Sequence, residues 1–102
     1  MRKDILIVDD EEDIRDLISG ILQDEGYDTR LAWNLHTLKS ELIKRVPACI
    51  LLDVWLENTN TDGIDLLKIL KKSYPTVPVI MISGHGTINL AIKAIKIGAF
   101  NF

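Results

Sequence analysis

The sequence predicts an α/β fold in which a parallel β-sheet is covered by helices on both faces. Two patterns alternate along its 102 residues. Short, continuous apolar runs are typical of strands buried on both sides, and apolar residues spaced three or four apart indicate amphipathic helices. Strict alternation of the two produces parallel strands joined by helical crossovers. The length and the hydrophobic share of 47% fit one folded domain.

The first part of the chain supplies two strands and two helices. Residues 5–8 are a short apolar run, and the helical pattern after them stops at Gly26. Residues 29–33 form a second predicted strand. Asn34 is suited to cap the second helix. The inward face of that helix carries Leu35, Leu38 and Leu42.

The second part repeats the pattern. Residues 48–52 are the most apolar strand, and the polar segment VWLENTNTDG after Asp53 is a loop. A third helix follows and stops before a Tyr-Pro pair. The fourth strand is residues 79–83, Thr87 caps a fourth helix, and residues 99–102 begin a fifth strand.

Three aspartates lie where predicted strands end. Asp9 and Asp10 follow the first apolar run, and Asp53 follows the third. In an open α/β sheet, ligands bind at the edge formed by the carboxyl ends of the strands. Three carboxylates at that edge repel one another unless a cation joins them. An all-oxygen site of this kind suits a hard divalent ion, Mg²⁺ before Ca²⁺ if phosphate chemistry follows.

The same edge carries groups suited to phosphoryl transfer. A carboxylate beside Mg²⁺ can act as a nucleophile toward phosphorus and form an aspartyl phosphate. Ser83, at the end of the fourth strand, can donate a hydrogen bond to a phosphoryl oxygen. A competing interpretation of Asp9 and Asp10 is that acidic residues are favoured at the start of a helix without any metal. Asp53 is harder to explain in that way, because it is a lone carboxylate after five apolar residues.

Composition argues against several other classes of protein. The net charge of −3 leaves no basic footprint for direct nucleic-acid binding. The N-terminal apolar stretch is too short for a signal peptide or a membrane span. The single cysteine, Cys49, cannot form an internal disulfide. We therefore expect a cytoplasmic protein.

The chain resembles the receiver domain of two-component response regulators in three motifs: VDDEEDIRDLI, LLDVWL with a following DG, and MISGHGTINLAIKAIKIGA. The agreement runs along all 102 residues. The resemblance implies a flavodoxin-like (βα)5 fold with strand order 2-1-3-4-5, here lacking most of strand 5 and helix 5. It also implies that residues 1–102 are one receiver domain, incomplete at its C-terminus.

The resemblance also implies which reaction the acidic residues carry out. Asp53 would be the phosphoacceptor that takes a phosphoryl group from a sensor histidine kinase. Asp9 and Asp10 would hold Mg²⁺ together with Asp53 and the backbone carbonyl of Trp55. Such a domain catalyses its own phosphorylation and dephosphorylation and is not a turnover enzyme in the usual sense. Phosphorylation would switch an output domain, which we expect to be transcriptional.

Further residues take roles from the same resemblance. Ser83 matches the Ser/Thr that turns toward the phosphoryl group, and Phe102 matches the aromatic residue that changes rotamer with it. Trp55 and His85 resemble residues that gate the water that hydrolyses the aspartyl phosphate, and a bulky indole slows that attack by excluding water. The active-site lysine of the family would fall a few residues beyond Phe102.

Finer features are similar to the NtrC/NtrX branch, whose members join a receiver to an AAA+ ATPase and a DNA-binding domain. These features are a longer loop at residues 57–61, the SGHG after the fourth strand and the GAFNF ending. The AAA+ and DNA-binding domains would be absent from this chain. We expect the protein to form a homodimer.

Three other interpretations stay open. A pseudo-receiver, used for docking or dimerisation without phosphorylation, would keep the same acids. A Mg²⁺-dependent phosphatase or phosphotransferase also uses an aspartyl phosphate, but it needs a general acid where this chain has Trp55. A flavin-binding module of the same fold needs a Ser/Thr/Gly-rich loop after the first strand, where this chain has DDEED.

Overall fold

Four parallel strands and three helices make up the described part of the chain. The computed structural model describes residues 3–53 and 63–82. Its strands are β1 (Asp4–Val8), β2 (Asp28–Ala32), β3 (Cys49–Asp53) and β4 (Val79–Ile82). Its helices are α1 (Glu12–Asp24), α2 (Leu35–Lys44) and α3 (Gly63–Ser73). The predicted fourth helix and the beginning of a fifth strand lie outside the described residues.

The strands lie in the order β2-β1-β3-β4, and each neighbouring pair is parallel. For these four strands the predicted flavodoxin-like order is confirmed. β1 begins one residue earlier than predicted, β2 lies one residue earlier and β3 lies one residue later, so Asp53 is the last residue of β3 instead of following it. The offsets arise because an apolar run marks burial, whereas a strand ends with its last ladder hydrogen bond.

Helices cover the two faces of the sheet to different extents. Every residue of β1 is buried, as expected for a central strand covered on both faces. In β3, Ile50 and Leu52 are fully buried in a core shared with α2 and α3. On the face toward α1, Leu51 and Ile80 are only half-buried. The main core therefore lies between the sheet and α2 and α3.

The first helix ends at a glycine, as the sequence predicts. Gly26 has a φ of 94°, a conformation that costs a residue with a Cβ more than it costs glycine. The N–H of Gly26 donates to the carbonyl of Gln23, and the N–H of Tyr27 donates to the carbonyl of Leu22, both at 3.0 Å. This pair of hydrogen bonds is a Schellman motif, which turns the chain directly from α1 into β2.

The second helix begins at the predicted cap. Asn34 Oδ1 accepts a hydrogen bond from the N–H of Thr37 at 2.8 Å. Thr37 Oγ1 in turn accepts from the N–H of Asn34 at 3.2 Å, which completes a reciprocal capping box. Leu38 and Leu42 of this helix are buried in the main core. Among the described residues, no helix is long and apolar enough to cross a membrane.

An ionic cluster closes the edge of the sheet formed by the amino ends of the strands. The carboxylate of Asp4, at the start of β1, accepts from Arg30 at 2.8 Å and from Arg45 at 3.0 Å. Arg30 also donates to the backbone carbonyls of Glu41, at 2.7 Å, and Arg45, at 2.9 Å. One guanidinium therefore pairs a buried acid and joins β1 and β2 to the end of α2.

Replacement of Arg30 by methionine should lower the free energy of unfolding by about 3 kcal/mol, because it leaves the charge of Asp4 buried with poorer compensation. Arg45→Met is the matched control. The Arg45 side chain is 64% exposed, so its loss should cost less than about 1 kcal/mol. Urea denaturation measures both values. Equal losses in the two variants would contradict the central role given to Arg30.

Candidate functional site

Parallel pairing brings the ends of β1 and β3 to the same edge of the sheet. Val8 pairs with Leu52 in register. Asp9 and Asp53 follow these two residues, so they occupy equivalent positions on neighbouring strands. Because neighbouring strands lie about 4.8 Å apart, this register alone places the two aspartates side by side.

Asp9, Asp10 and Asp53 form the acidic cluster at this edge. One carboxylate oxygen from each residue lies within 4.8 Å of the corresponding oxygens of the other two. Asp9 is only 4% exposed, and Asp10 and Asp53 are half-buried. The structure therefore brings together the three carboxylates that were predicted from the sequence to lie at strand ends.

Three hydrogen bonds hold Asp9. Its N–H donates to the carbonyl of Ala32 at 3.1 Å, and its Oδ1 accepts from the N–H of Glu11 at 2.9 Å. Its own carbonyl accepts from Nη1 of Arg15 at 2.7 Å. Glu11 is the N-cap of α1 and makes no side-chain capping bond. Asp9 therefore supports the turn into the helix without serving as its N-cap.

Burial raises the pKa of Asp9 above the ordinary aspartate range, because desolvation disfavours the charged form. The hydrogen bond from the Glu11 N–H opposes this rise, and the charges of Asp10 and Glu11 add to it. The guanidinium of Arg15 lowers the pKa to a smaller extent. Ionised Asp9 therefore carries an energetic cost at neutral pH, which a bound cation would offset.

The oxygen atoms of the acidic cluster fit a divalent cation. Carboxylate oxygens are the hard ligands that Mg²⁺ and Ca²⁺ prefer. Ligand oxygens of one Mg²⁺ lie about 3 Å apart when adjacent and about 4 Å apart when opposite, so oxygens that lie within 4.8 Å of one another would move closer together to bind one ion. Residues 3–53 and 63–82 contain no second group of acids with this spacing.

Two residues near the acidic cluster are not identified by the sequence analysis. Arg15, in the first turns of α1, donates to the Asp9 carbonyl, and its Cζ lies 5.3 Å from the ring centroid of Trp33. Trp33 directly follows β2, the strand paired with β1. The signal available in the sequence was an aromatic residue at the end of the second predicted strand.

Several predicted site residues lie outside the part of the chain that the structure describes. They are Trp55, Ser83, His85 and Phe102. Ile82, the last described residue before Ser83, pairs in register with Asp53. The roles of these four residues therefore stay predictions.

Comparison with known proteins decides the family. The family of response regulator receiver domains matches residues 5–102. The chain belongs to this family. The family predicted from the three motifs is therefore confirmed, and the relatives below support its NtrX-like branch.

Relatives of this receiver domain include NtrX proteins. It is 52% identical over 102 residues to the nitrogen assimilation regulatory protein NtrX of Azorhizobium caulinodans, covering 100% of this chain and 22% of that protein. A crystal structure of NtrX from Brucella abortus has a TM-score of 0.94 at 49% identity, covering 100% of this chain and 23% of that one. The receiver domain thus spans about a fifth of these two relatives.

A third relative was solved with ligands. It is a response regulator from Burkholderia pseudomallei with a phosphorylated aspartic acid, a calcium ion and citrate. Its TM-score with this chain is 0.88 at 27% identity, and the match covers 97% of this chain and 57% of that one. The common fold therefore extends to a response regulator captured in a phosphorylated form.

Substitution of Asp9 by asparagine should stabilise the metal-free protein at neutral pH by about 0.5–2 kcal/mol, because it removes a buried charge and keeps the acceptor for the Glu11 N–H. The gain should shrink as the pH falls through the raised pKa of Asp9, since the wild-type carboxyl is then neutral too. Thermal unfolding in EDTA at several pH values measures this. A gain that does not change with pH would contradict the stated cause.

Proposed function

We propose that this receiver domain accepts a phosphoryl group on Asp53 from a sensor histidine kinase, in a reaction that depends on Mg²⁺. The observation that carries the proposal is the cluster of Asp9, Asp10 and Asp53 at the carboxyl edge of the sheet. A half-buried carboxylate at the end of β3 is accessible to a partner and lies next to two further acids that can hold a cation.

In the proposed reaction, a carboxylate oxygen of Asp53 forms a bond to phosphorus. The phosphorus–nitrogen bond of a kinase phosphohistidine breaks, and its electron pair passes to the imidazole nitrogen, which takes up a proton. Asp9 and Asp10 would hold the ion together with Asp53 and the backbone carbonyl of Trp55. Bound Mg²⁺ offsets the negative charge of the carboxylate and of the phosphoryl oxygens.

The relative from Burkholderia pseudomallei supports this assignment. That protein carries a phosphorylated aspartic acid and a calcium ion in one crystal structure. Calcium and magnesium share a preference for carboxylate and carbonyl oxygens. We assign the same pairing of aspartyl phosphate and divalent ion to this chain, with Mg²⁺ as the ion.

The roles of the remaining site residues are part of the proposal. Ser83 donates a hydrogen bond to a phosphoryl oxygen, and Phe102 changes rotamer with the phosphorylation state. Trp55 and His85 restrict the access of the hydrolytic water to the aspartyl phosphate. The switch therefore requires a segment with two conformations that phosphorylation biases.

The wider protein is also a matter of proposal, because the chain spans about a fifth of its NtrX relatives. We propose that residues 1–102 are the receiver unit of a cytoplasmic, homodimeric transcriptional regulator. Its output would come from AAA+ and DNA-binding domains outside this chain. A net charge of −3 supports leaving nucleic-acid binding to another domain.

Substitution of Asp53 by asparagine should abolish phosphorylation, because an amide oxygen is a poor nucleophile and the product would no longer be an acyl phosphate. The protein is incubated with acetyl phosphate and MgCl2, and intact mass spectrometry reports the addition of one phosphoryl group. Asp24→Asn is the matched control: Asp24 is an exposed acid at the end of α1, and its loss should leave labelling unchanged. EDTA should prevent labelling of the wild type.

Two outcomes would contradict the proposal in different ways. Labelling of Asp53→Asn at the wild-type level would place the phosphoacceptor elsewhere. A wild-type protein that binds Mg²⁺ but is labelled by neither acetyl phosphate nor a phosphorylated kinase would be a pseudo-receiver that acts by docking alone.

Replacement of Trp55 by alanine should shorten the half-life of the aspartyl phosphate severalfold, because a smaller side chain admits water more readily. Trp55→Phe keeps an aromatic group and the same backbone carbonyl, and it should stay close to the wild type. Decay of the phosphorylated species is followed by intact mass after removal of the donor. Equal half-lives in all three proteins would exclude a gating role for Trp55.

A further inference from the structure

Arg15 links the start of α1 to the ends of two strands. Its Nη1 donates to the backbone carbonyl of Asp9 at 2.7 Å, a charge-assisted hydrogen bond. Its guanidinium lies over Trp33, with Cζ 5.3 Å from the ring centroid, within the range of a cation–π interaction. Trp33 follows Ala32, whose carbonyl accepts the N–H of Asp9. These contacts therefore link Asp9 to Arg15, Arg15 to Trp33, and Ala32, the residue before Trp33, back to Asp9.

The arrangement at Arg15 has an energetic cost. Its Nε is buried and has no hydrogen-bond partner among the described residues. A buried donor without a partner costs about 1–3 kcal/mol. An aliphatic side chain at this position would avoid that cost and could still pack against Trp33. The presence of an arginine is therefore better explained by its contact with Asp9 than by packing.

The hydrogen bond from Arg15 to the Asp9 carbonyl affects the position of both Asp9 and Asp10. The carbonyl of Asp9 and the N–H of Asp10 belong to one planar peptide group. A hydrogen bond that fixes this carbonyl therefore fixes the backbone from which both side chains extend. The carboxylate of Asp9 is separately held by the N–H of Glu11 at 2.9 Å.

We propose that Arg15, held in place by Trp33, is a positioning residue that fixes the peptide group between Asp9 and Asp10 for metal binding. The proposal rests on the Mg²⁺ site of the proposed function and extends it to two residues outside the acidic cluster. Partners that orient metal ligands typically affect metal affinity by about 10–100-fold.

The direction in which Mg²⁺ affinity changes when Arg15 is replaced distinguishes a positioning role from a simple effect of its charge. The guanidinium of Arg15 is a positive charge close to Asp9, so by charge alone it opposes the binding of another cation. If charge were its only influence, Arg15→Met would strengthen Mg²⁺ binding. If Arg15 positions the peptide group, the same substitution weakens binding despite the loss of a repelling charge.

Isothermal titration of the protein with MgCl2 tests the proposal. We expect Arg15→Met and Arg15→Lys each to weaken Mg²⁺ binding by about tenfold, because lysine keeps the charge without the planar fork that bonds the carbonyl and stacks on the ring. Trp33→Leu should weaken it by about threefold, since it removes the ring face under the guanidinium. Trp33→Phe should fall between Trp33→Leu and the wild type.

A metal-free measurement isolates the positioning step. In EDTA, amide hydrogen exchange of Glu11, whose N–H is bonded to Asp9 Oδ1, should be faster in Arg15→Lys than in the wild type. Arg45→Lys is the matched control, because Arg45 pairs with Asp4 at the opposite edge of the sheet. It should change neither the exchange of Glu11 nor the Mg²⁺ affinity.

The outcomes distinguish this proposal from the function on which it rests. Unchanged or tighter Mg²⁺ binding in Arg15→Met, with a wild type that binds Mg²⁺, would overturn the positioning role alone. Equal weakening in Arg15→Lys and Arg45→Lys would also overturn it, since the effect would then be one of general stability. A wild type that binds no Mg²⁺ would overturn the proposed metal site and this inference together.

Discussion

Repulsion among three carboxylates is the constraint on which the rest of this domain depends. Parallel pairing of β1 with β3 sets Asp9 and Asp53 side by side, and Asp10 adds a third acid. The main core between the sheet and the helices α2 and α3, together with the Asn34 cap of α2, holds this edge in place against that repulsion. Stability built elsewhere in the fold is therefore used to maintain a site that is costly when metal-free.

Acidic residues at the two edges of the sheet differ in how a neighbouring arginine contacts them. At the amino edge, Asp4 is paired with Arg30 and Arg45, and the pairing joins β1 and β2 to α2. At the carboxyl edge, the guanidinium of Arg15 bonds the backbone carbonyl of Asp9 instead of its carboxylate. The same residue types therefore hold the fold together at one end of the sheet and form the proposed metal site at the other.

The features of the fold and of the site that were predicted from the sequence alone are those that depend on a local pattern of residues. Apolar runs located the strands, Gly26 and Asn34 marked helix ends, and the strand-end aspartates indicated the acidic cluster. The pairing of Arg30 with Asp4 and the stacking of Arg15 on Trp33 were not predicted. These contacts join residues that are distant along the chain, and nothing in the spacing of an arginine specifies which acid, carbonyl or ring it will meet.

The central position of β1 has a consequence for how the chain folds during synthesis. β1 leaves the ribosome before β2 and β3, the strands on its two sides. The apolar residues of β1 therefore stay unpaired until β2 and β3 have been made. This dependence on long-range contacts slows the folding of a parallel sheet. Asp9 and Asp10 emerge well before Asp53, so the nascent chain passes through a stage in which the pair of acids exists but the complete cluster does not.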